Sequence, residues 1–242
     1  MIQIQNLSKK FGSHTAVNDT TWAAKDGCIT GFIGPNGAGK TTTMKMITGA
    51  LKPDSGNILL NGFDITKKPL DAKKQFGYVS DSPDHFLRLK GIEYLNFMAD
   101  VYDMPEQGRD EFIESCSKRF GIYEALNNSL LSYSHGMRQK IMVMGALIHN
   151  PSIWILDEPM TGLDPQSAFE LKKMMKEHVE AGNSVLFSTH VLEVAEKLCD
   201  EVVIIKHGSI LFSGTLDKLK ETHKSDSSLE NIFLELTDDK SE

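Results

Sequence analysis

The stretch "GPNGAGKT", Gly34 to Thr41, lies between a short apolar run, "CITGFIG", and a helical pattern, "KTTTMKMITGAL", that stops before Pro53. This order dictates a strand, a tight glycine-rich loop and a helix, the context in which G-x-x-x-x-G-K-[S/T] binds phosphate. Asn36, Gly37, Ala38 and Gly39 supply successive backbone N–H groups, and the positive end of the helix dipole faces the same point. Lys40 adds a mobile positive charge for terminal phosphates. Thr41 can offer its hydroxyl to Mg²⁺, and Thr42 is placed to approach a neighbouring phosphate. The competing reading is a glycine-rich turn with a helix-capping threonine.

Around this loop the chain alternates between strand and helix patterns. "MIQIQNL" alternates apolar and polar residues, and further extended stretches are Val17 to Ala23, "GNILLNG" and "QFGYVS". From about Asp84 to Asn150 the spacing becomes helical, with Ile92, Leu95, Phe97 and Met98 in one segment and Phe112, Ile113, Cys116 and Phe120 in another. This predicts an inserted helical subdomain. Its last helix, about His135 to His149, ends at "NP" because the residue before proline disfavours helical backbone. Strand "SIWIL", a helix over about 165–180, strand "SVLFS", a helix over about 191–198 and strand "EVVII" follow. Apolar strands alternating with helices predict a largely parallel, buried sheet in an α/β domain. In "SLENIFLELT", Leu229, Ile232, Phe233 and Leu236 fall on one helical face that docks on the domain, and disorder is expected only in "DDKSE".

At 242 residues the chain can hold one large domain or a domain with an insertion, and its 40% hydrophobic and 24% charged content is that of a globular protein. A net charge of −7 argues against broad binding to nucleic acid. Apolar runs such as "VVII" fall far short of the roughly 20 residues needed to cross a bilayer. No basic-then-apolar leader precedes Ile2-Gln3-Ile4, so a cytoplasmic protein is expected. Cys28, Cys116 and Cys199 lack metal-ligand spacing and read as reduced thiols.

Two acids end the apolar strand "IWILDEP". Successive side chains on a strand point to opposite sides, but at the strand end the chain can turn and bring Asp157 and Glu158 to one site. Asp157 would then hold Mg²⁺ through water and Glu158 would polarise an attacking water. Alone, such a pair is a solvated loop; the phosphate loop upstream favours the functional reading. His190 ends "SVLFSTH" at the strand edge where open α/β sheets place ligands, and can donate to a γ-phosphate or orient the water. In "YSHGMRQK", Tyr133 to Lys140, a nucleophile–base pairing of Ser134 with His135 is weak, because adjacent side chains rarely face each other.

The order of phosphate loop, helical insert, "YSHGMRQK", "IWILDEP", "TGLDP" and "STH" resembles an ATP-binding cassette (ABC) ATPase over nearly the whole chain. The resemblance implies a P-loop NTPase core with a mainly parallel sheet, an N-terminal antiparallel β-subdomain and an inserted α-helical subdomain. It divides the chain into an ATPase domain over 1–222, with the helical subdomain at about 84–150, and a C-terminal helix and tail over 223–242. It also implies ATP and Mg²⁺ as ligands, and a homo- or heterodimer in which each ATP lies between the phosphate loop of one subunit and the signature turn of the other. Carried over, Phe11 stacks on adenine, and Gly34 to Thr42 form the phosphate loop. Ser134 to Met137 form the signature, with Ser134 and Gly136 turned toward the ATP of the second subunit. Asp157 is the metal-site acid, Glu158 the catalytic glutamate, Leu163 and Asp164 the dimer-communicating loop, and His190 the switch histidine.

Two places depart from the family pattern. The usual Leu-Ser-Gly-Gly-Gln is here Tyr133-Ser134-His135-Gly136-Met137, retaining the Ser and the second Gly. In "GYVSDSP", Asp81 stands where the family generally has Gln; it meets Mg²⁺ or water, or is an ordinary turn-forming Asp. That loop links ATP to the membrane partner in the family, and Phe86, Leu87 and Leu89 either receive a helix of a transmembrane subunit or are buried in the helical subdomain. The signature style, the single cassette and the tail look most like ABC-2-type exporter ATPases of the bacitracin-export or Ecs type. The resemblance implies an ATP-hydrolysing subunit, peripheral on the inner face of the membrane, with no nucleic-acid partner. The alternatives are a soluble non-transport cassette ATPase and a degenerate regulatory nucleotide-binding subunit. A GTPase would need N-K-x-D, which the sequence lacks.

Overall fold

In the computed structural model, which describes residues 1–222 and 228–237, the N-terminal strands β1 (Ile2–Phe11) and β2 (His14–Ala24) form an antiparallel pair. Next come β3 (Ile29–Ile33), helix α1 (Lys40–Ile47), β4 (Ser55–Leu60) and β5 (Phe63–Asp64). β1 pairs on its other side with β4, which carries β5, giving an antiparallel sheet of order β2-β1-β4-β5. Ile2, Ile4 and Leu7 of β1 are all buried although their spacing changes from two to three; a register shift between Ile4 and Leu7 absorbs the extra residue.

The chain continues through α2 (Pro69–Lys73), β6 (Phe76–Val79), the helices α3 (Gly91–Val101), α4 (Glu106–Arg119) and α5 (His135–Leu147), and β7 (Ile153–Asp157). It finishes with α6 (Pro165–Glu180), β8 (Ser184–Thr189), α7 (Leu192–Leu198), β9 (Glu201–Lys206), β10 (Ser209–Thr215), α8 (Leu216–Thr222) and α9 (Leu229–Thr237). The second sheet has the order β10-β9-β3-β8-β7-β6, parallel except for the β9–β10 pair. β10 and α8 are not foreshadowed by the sequence pattern. β10 is an edge strand whose residues alternate between exposed and half-buried, so its apolar content is thin. The expectation about "DDKSE" lies outside the described residues.

Period-two alternation splits the core into two layers on either face of this sheet. Ile153 and Ile155 of β7 pack with Phe32, Leu186 and the α1 residues Met44 and Ile47, while Trp154 and Leu156 pack with Phe187 and residues of α5, α6 and α7. Leu229 and Ile232 bury the docking face of α9 in the second layer. Phe97, expected on a buried helical face, is exposed and instead packs at a tilt against Phe86, with ring centroids 5.5 Å apart.

α5 is buried around its whole circumference from Gln139 to Leu147. Such a helix is positioned by every neighbour it touches, and two glycines set the closest approaches. A Cβ on Gly77 of β6 would lie 1.8 Å from the carbonyl oxygen of Ala146, and one on Gly145 would lie 2.6 Å from the Tyr94 ring. Gly77→Ala must therefore displace a backbone carbonyl of α5. It is expected to destabilise the fold by roughly 1–3 kcal/mol, seen as a lower urea midpoint.

Just beyond α5, His149 stacks face to face on Tyr102 of the α3 end, with ring centroids 3.5 Å apart and planes 1° from parallel. Burial lowers the pKa of His149, and that of His178 on α6, to about 4. The unfolded chain takes up these protons near the ordinary 6.5 while the folded rings stay neutral until about 4, so stability is present above 6.5 and falls as the pH drops toward 4. His149→Phe keeps a stacking ring and removes one of the two contributions. Its urea midpoint should fall less steeply between pH 6.5 and 4 than that of the parent, and an unchanged slope would contradict this cause.

Candidate active site

β3, β8 and β7 are adjacent and parallel, so the phosphate loop, His190 and the Asp157–Glu158 pair leave the same sheet edge side by side. Gly39 enters α1 with φ +108°, and a Cβ there would lie 2.4 Å from the carbonyl oxygen of Ala16. Only glycine satisfies both demands. The side chain of Lys40, nearly buried, folds back over the loop: its Nζ donates to the carbonyls of Gly34 at 2.7 Å and Pro35 at 3.3 Å, and lies 3.7 Å from Glu158 Oε1. Burial lowers the Lys40 pKa, and the charges of Glu158 and Asp157 oppose that.

Asp157 is completely buried. One carboxylate oxygen accepts a short hydrogen bond from the Ser188 hydroxyl, and the other, Oδ2, has no hydrogen-bond partner among the described residues. Burial raises its pKa, the Ser188 hydroxyl and, more weakly, the nearby Thr41 hydroxyl oppose the rise, and the negative charges of Asp81 and Glu158 add to it. Asp81 thus acts electrostatically on the same point as Asp157. At Glu158 the backbone turns into the left-handed region, φ +49°, which takes its side chain out of strand alternation and places it beside the phosphate loop. The Glu158 N–H donates to Ser188 Oγ at 2.9 Å, and Glu158 Oε2 lies 3.0 Å from His190 Nδ1.

Ser188 does not stand out in the sequence. Its signal is available only in pairing: it is the register partner of Asp157 across β7 and β8. A fully buried serine hydroxyl needs a partner, and here it serves both acids at once.

Phe11, Asn36, Gly37, Gly39, Lys40, Thr41, Thr42, Asp81 and Glu158 line one cleft of about 400 Å³, joined by His14 and Ala16. The side chain of Ala38 is buried beneath the loop, and its N–H donates to the Pro35 carbonyl at 3.2 Å. Phe11 is half exposed at the cleft mouth with Lys9 Nζ 5.6 Å from its ring centre. Ser134 and Gly136 do not line this cleft. Ser134 caps α5, accepting from the Met137 N–H at 3.2 Å, and Gly136 abuts the loop around Gly162.

A family model described as ABC transporter matches residues 17–161. The chain belongs to the ABC transporter family. It is 34% identical to the ABC transporter ATP-binding protein NatA of Bacillus subtilis, with 97% of each chain covered. It is 33% identical to the ABC-type transporter ATP-binding protein EcsA of the same organism, over 98% of this chain and 96% of that one. Among solved structures, an ATP binding subunit of an ABC transporter superposes with a TM-score of 0.94 at 32% identity, covering 98% of this chain and 100% of the other. The P-loop NTPase fold of an ABC ATPase and the Ecs-type resemblance both stand. The chain binds and hydrolyses ATP, as a member of that family.

Because Ser188 favours the ionised form of Asp157 in this ABC ATPase, Ser188→Ala should raise the Asp157 pKa further. The carbon-13 shift of the labelled carboxyl should titrate at higher pH in the variant, and the acid limb of the ATPase pH profile should move up with it. A carboxyl titration that does not move would contradict the assigned cause.

Proposed function

We propose that this ABC ATPase powers a separate transmembrane subunit, and that two ATPase subunits close on each ATP. The observation that carries the reading is the division of the site. The phosphate loop, Asp81 and Glu158 line one cleft, with His190 3.0 Å from Glu158 and Asp157 buried at the end of the same strand, while Ser134 and Gly136 sit outside it at a helix N-terminus that favours anions. A second subunit, a copy of this chain or a related cassette, would bring its own signature turn over the phosphates.

In this reading Lys40 and the loop N–H groups hold the terminal phosphates, and Phe11 stacks on adenine. The unpartnered, buried Asp157 Oδ2 fits a cation, and Thr41 and Asp157 would hold Mg²⁺, with Asp81 as a further acid beside them. Bound Mg²⁺ neutralises charge developing on the phosphates. Glu158 polarises the attacking water, and His190, 3.0 Å from it, holds its carboxylate and faces the γ-phosphate. Opening of the subunits after hydrolysis then resets the cycle.

The membrane partner is assigned to a second cleft, of about 450 Å³, lined by Tyr78, Asp81, Phe86, Tyr94, Met98 and Met142 among others. Phe86 and the adjoining Phe97 are exposed apolar rings beside it. Of the apolar cluster noted in the sequence, Leu89 packs on the core and Leu87 is partly buried, which leaves Phe86 to receive a cytoplasmic helix of the transmembrane subunit. Since Asp81 lines both clefts, this loop can report ATP to that helix. The helical region over 84–150 would move as a subdomain of the 1–222 ATPase domain. No helix among the described residues is long and apolar enough to cross a membrane, in keeping with a cytoplasmic subunit held to the inner face by its partner. Likeness to EcsA supports placing it among exporter ATPases, and the net charge of −7 supports no role on nucleic acid.

Glu158→Gln should bind ATP, form an ATP-dependent dimer on size-exclusion chromatography and lose at least about 100-fold in turnover. Near-parental turnover would remove Glu158 from the role of base. Failure of this variant to dimerise with ATP, alone or with its copurified membrane subunit, would overturn the shared site.

A further inference from the structure

The signature turn and the loop that follows Glu158 are packed together within one subunit, and the packing runs through a residue that the family pattern does not supply. Gly162 has φ +77°, and a Cβ on it would lie 2.3 Å from Cδ2 and 3.0 Å from Nε2 of His135. The imidazole therefore rests directly on the bare backbone of Gly162. Beside it, a Cβ on Gly136 would lie 2.6 Å from the Gly162 carbonyl oxygen. One turn further along α5, Lys140 Nζ pairs with Asp164 Oδ2 at 3.1 Å while donating to the Phe120 carbonyl at 3.1 Å. Hydrogen bonds from Ser167 and then the Lys140 charge hold the Asp164 carboxyl well below the usual carboxylate range.

The loop between these anchors is short and internally bonded. The Thr161 N–H donates to the Glu158 carbonyl at 3.2 Å and the Leu163 N–H to the Met160 carbonyl at 3.3 Å. A displacement at Gly162 has little slack to absorb it before it reaches the strained backbone of Glu158. With glycine in place of His135 the ring cover on Gly162 would be lost, and the turn would meet the loop through the Gly136 backbone beside the Gly162 carbonyl, the Gln139 amide 3.5 Å from the Pro159 carbonyl, and Lys140.

We infer that His135 is a positioning residue that couples the ATP seated on its own signature turn to Glu158 of the same subunit. The inference rests on the shared-site reading above: Ser134 and Gly136 touch ATP held by the second subunit, and His135, between them, presses the consequence onto the loop that carries the water-polarising acid. Each subunit would then sense occupancy of the other's site through an imidazole ring seated on a glycine backbone. His135 itself touches neither nucleotide nor water in this scheme.

The test compares His135→Gly and His135→Phe in the full chain with its copurified membrane subunit, using ATP turnover. The ring is exposed on its outer side, so Phe has room to keep the packing. Small misplacements of a catalytic group cost large factors in rate, and H135G is expected to lose about 10-fold in kcat with KM changed far less. Its Hill coefficient for ATP should also fall toward one, and H135F should restore both quantities. H135G with parental kcat and Hill coefficient would overturn the coupling, as would H135F no better than H135G. ATP-driven dimerisation in an E158Q background separates the two levels. If E158Q dimerises and H135G still keeps its kcat, the coupling alone fails; if E158Q does not dimerise, the shared site fails and the coupling with it.

Discussion

The carboxyl of Asp157 is fully buried, and burial disfavours the very charge that a phosphate-transfer site needs there. Desolvating an isolated carboxylate costs several kcal/mol, whereas a hydrogen bond to an ionised group returns only about 1.5–3 kcal/mol. Ser188 therefore cannot offset the burial by itself, and the raised pKa records the deficit. What remains is a buried oxygen without a hydrogen-bond partner among the described residues, at the strand end beside the phosphate loop. The neighbouring features follow from keeping that oxygen in place: the parallel register of β7 with β8, the serine that also takes the Glu158 N–H, and the left-handed turn that sends Glu158 toward Lys40.

α5 holds the rest of the site to this centre. Its middle is locked by β6 and α3 through approaches that admit no side chain at Gly77 or Gly145, so its N-terminus has a fixed place. From there Arg138 reaches Asp84 at 2.6 Å in the segment that begins at Asp81, and Lys140 reaches Asp164 in the segment that begins at Glu158. One rigid helix end thus touches both the loop beside the apolar cleft and the loop beside the acids. Burial supplies the rigidity and polar side chains supply the reach.

How much of this could be read from the sequence depended on the range of the interaction. The phosphate loop was legible because its glycines, Lys40 and Thr41 are local, and α6 was legible as a helix over about 165–180, while the cap that Asp164 supplies to it is seen only in the structure. The joining of Asp157, Glu158 and His190 was legible as an expectation from strand ends. Ser188 was not, because its role exists only across a strand pairing. The exposure of Phe97 was equally hidden, since helical spacing names a face without saying what covers it. His135 could be noticed as a departure, but its packing on Gly162 joins two loops distant in sequence through a left-handed glycine that no local pattern announces.

Asp81 brings the same electrostatics to a finer point. Where the family generally has a neutral amide, a carboxylate here lines the cleft and raises the pKa of Asp157. Without a cation, two carboxylates facing one point repel each other, and Asp157 is driven toward its protonated form. A divalent cation reverses the sign of that interaction, because each added negative charge then strengthens its hold. Asp81 should therefore make the empty site more reluctant to ionise and, where Mg²⁺ is held as proposed above, make the loaded site hold it more firmly. Since Asp81 also borders the apolar cleft, a membrane helix that moved this loop would shift the balance between those two states. In this chain, then, coupling between the clefts would act through charge on the Asp157 carboxylate, where a glutamine could act only through hydrogen bonds.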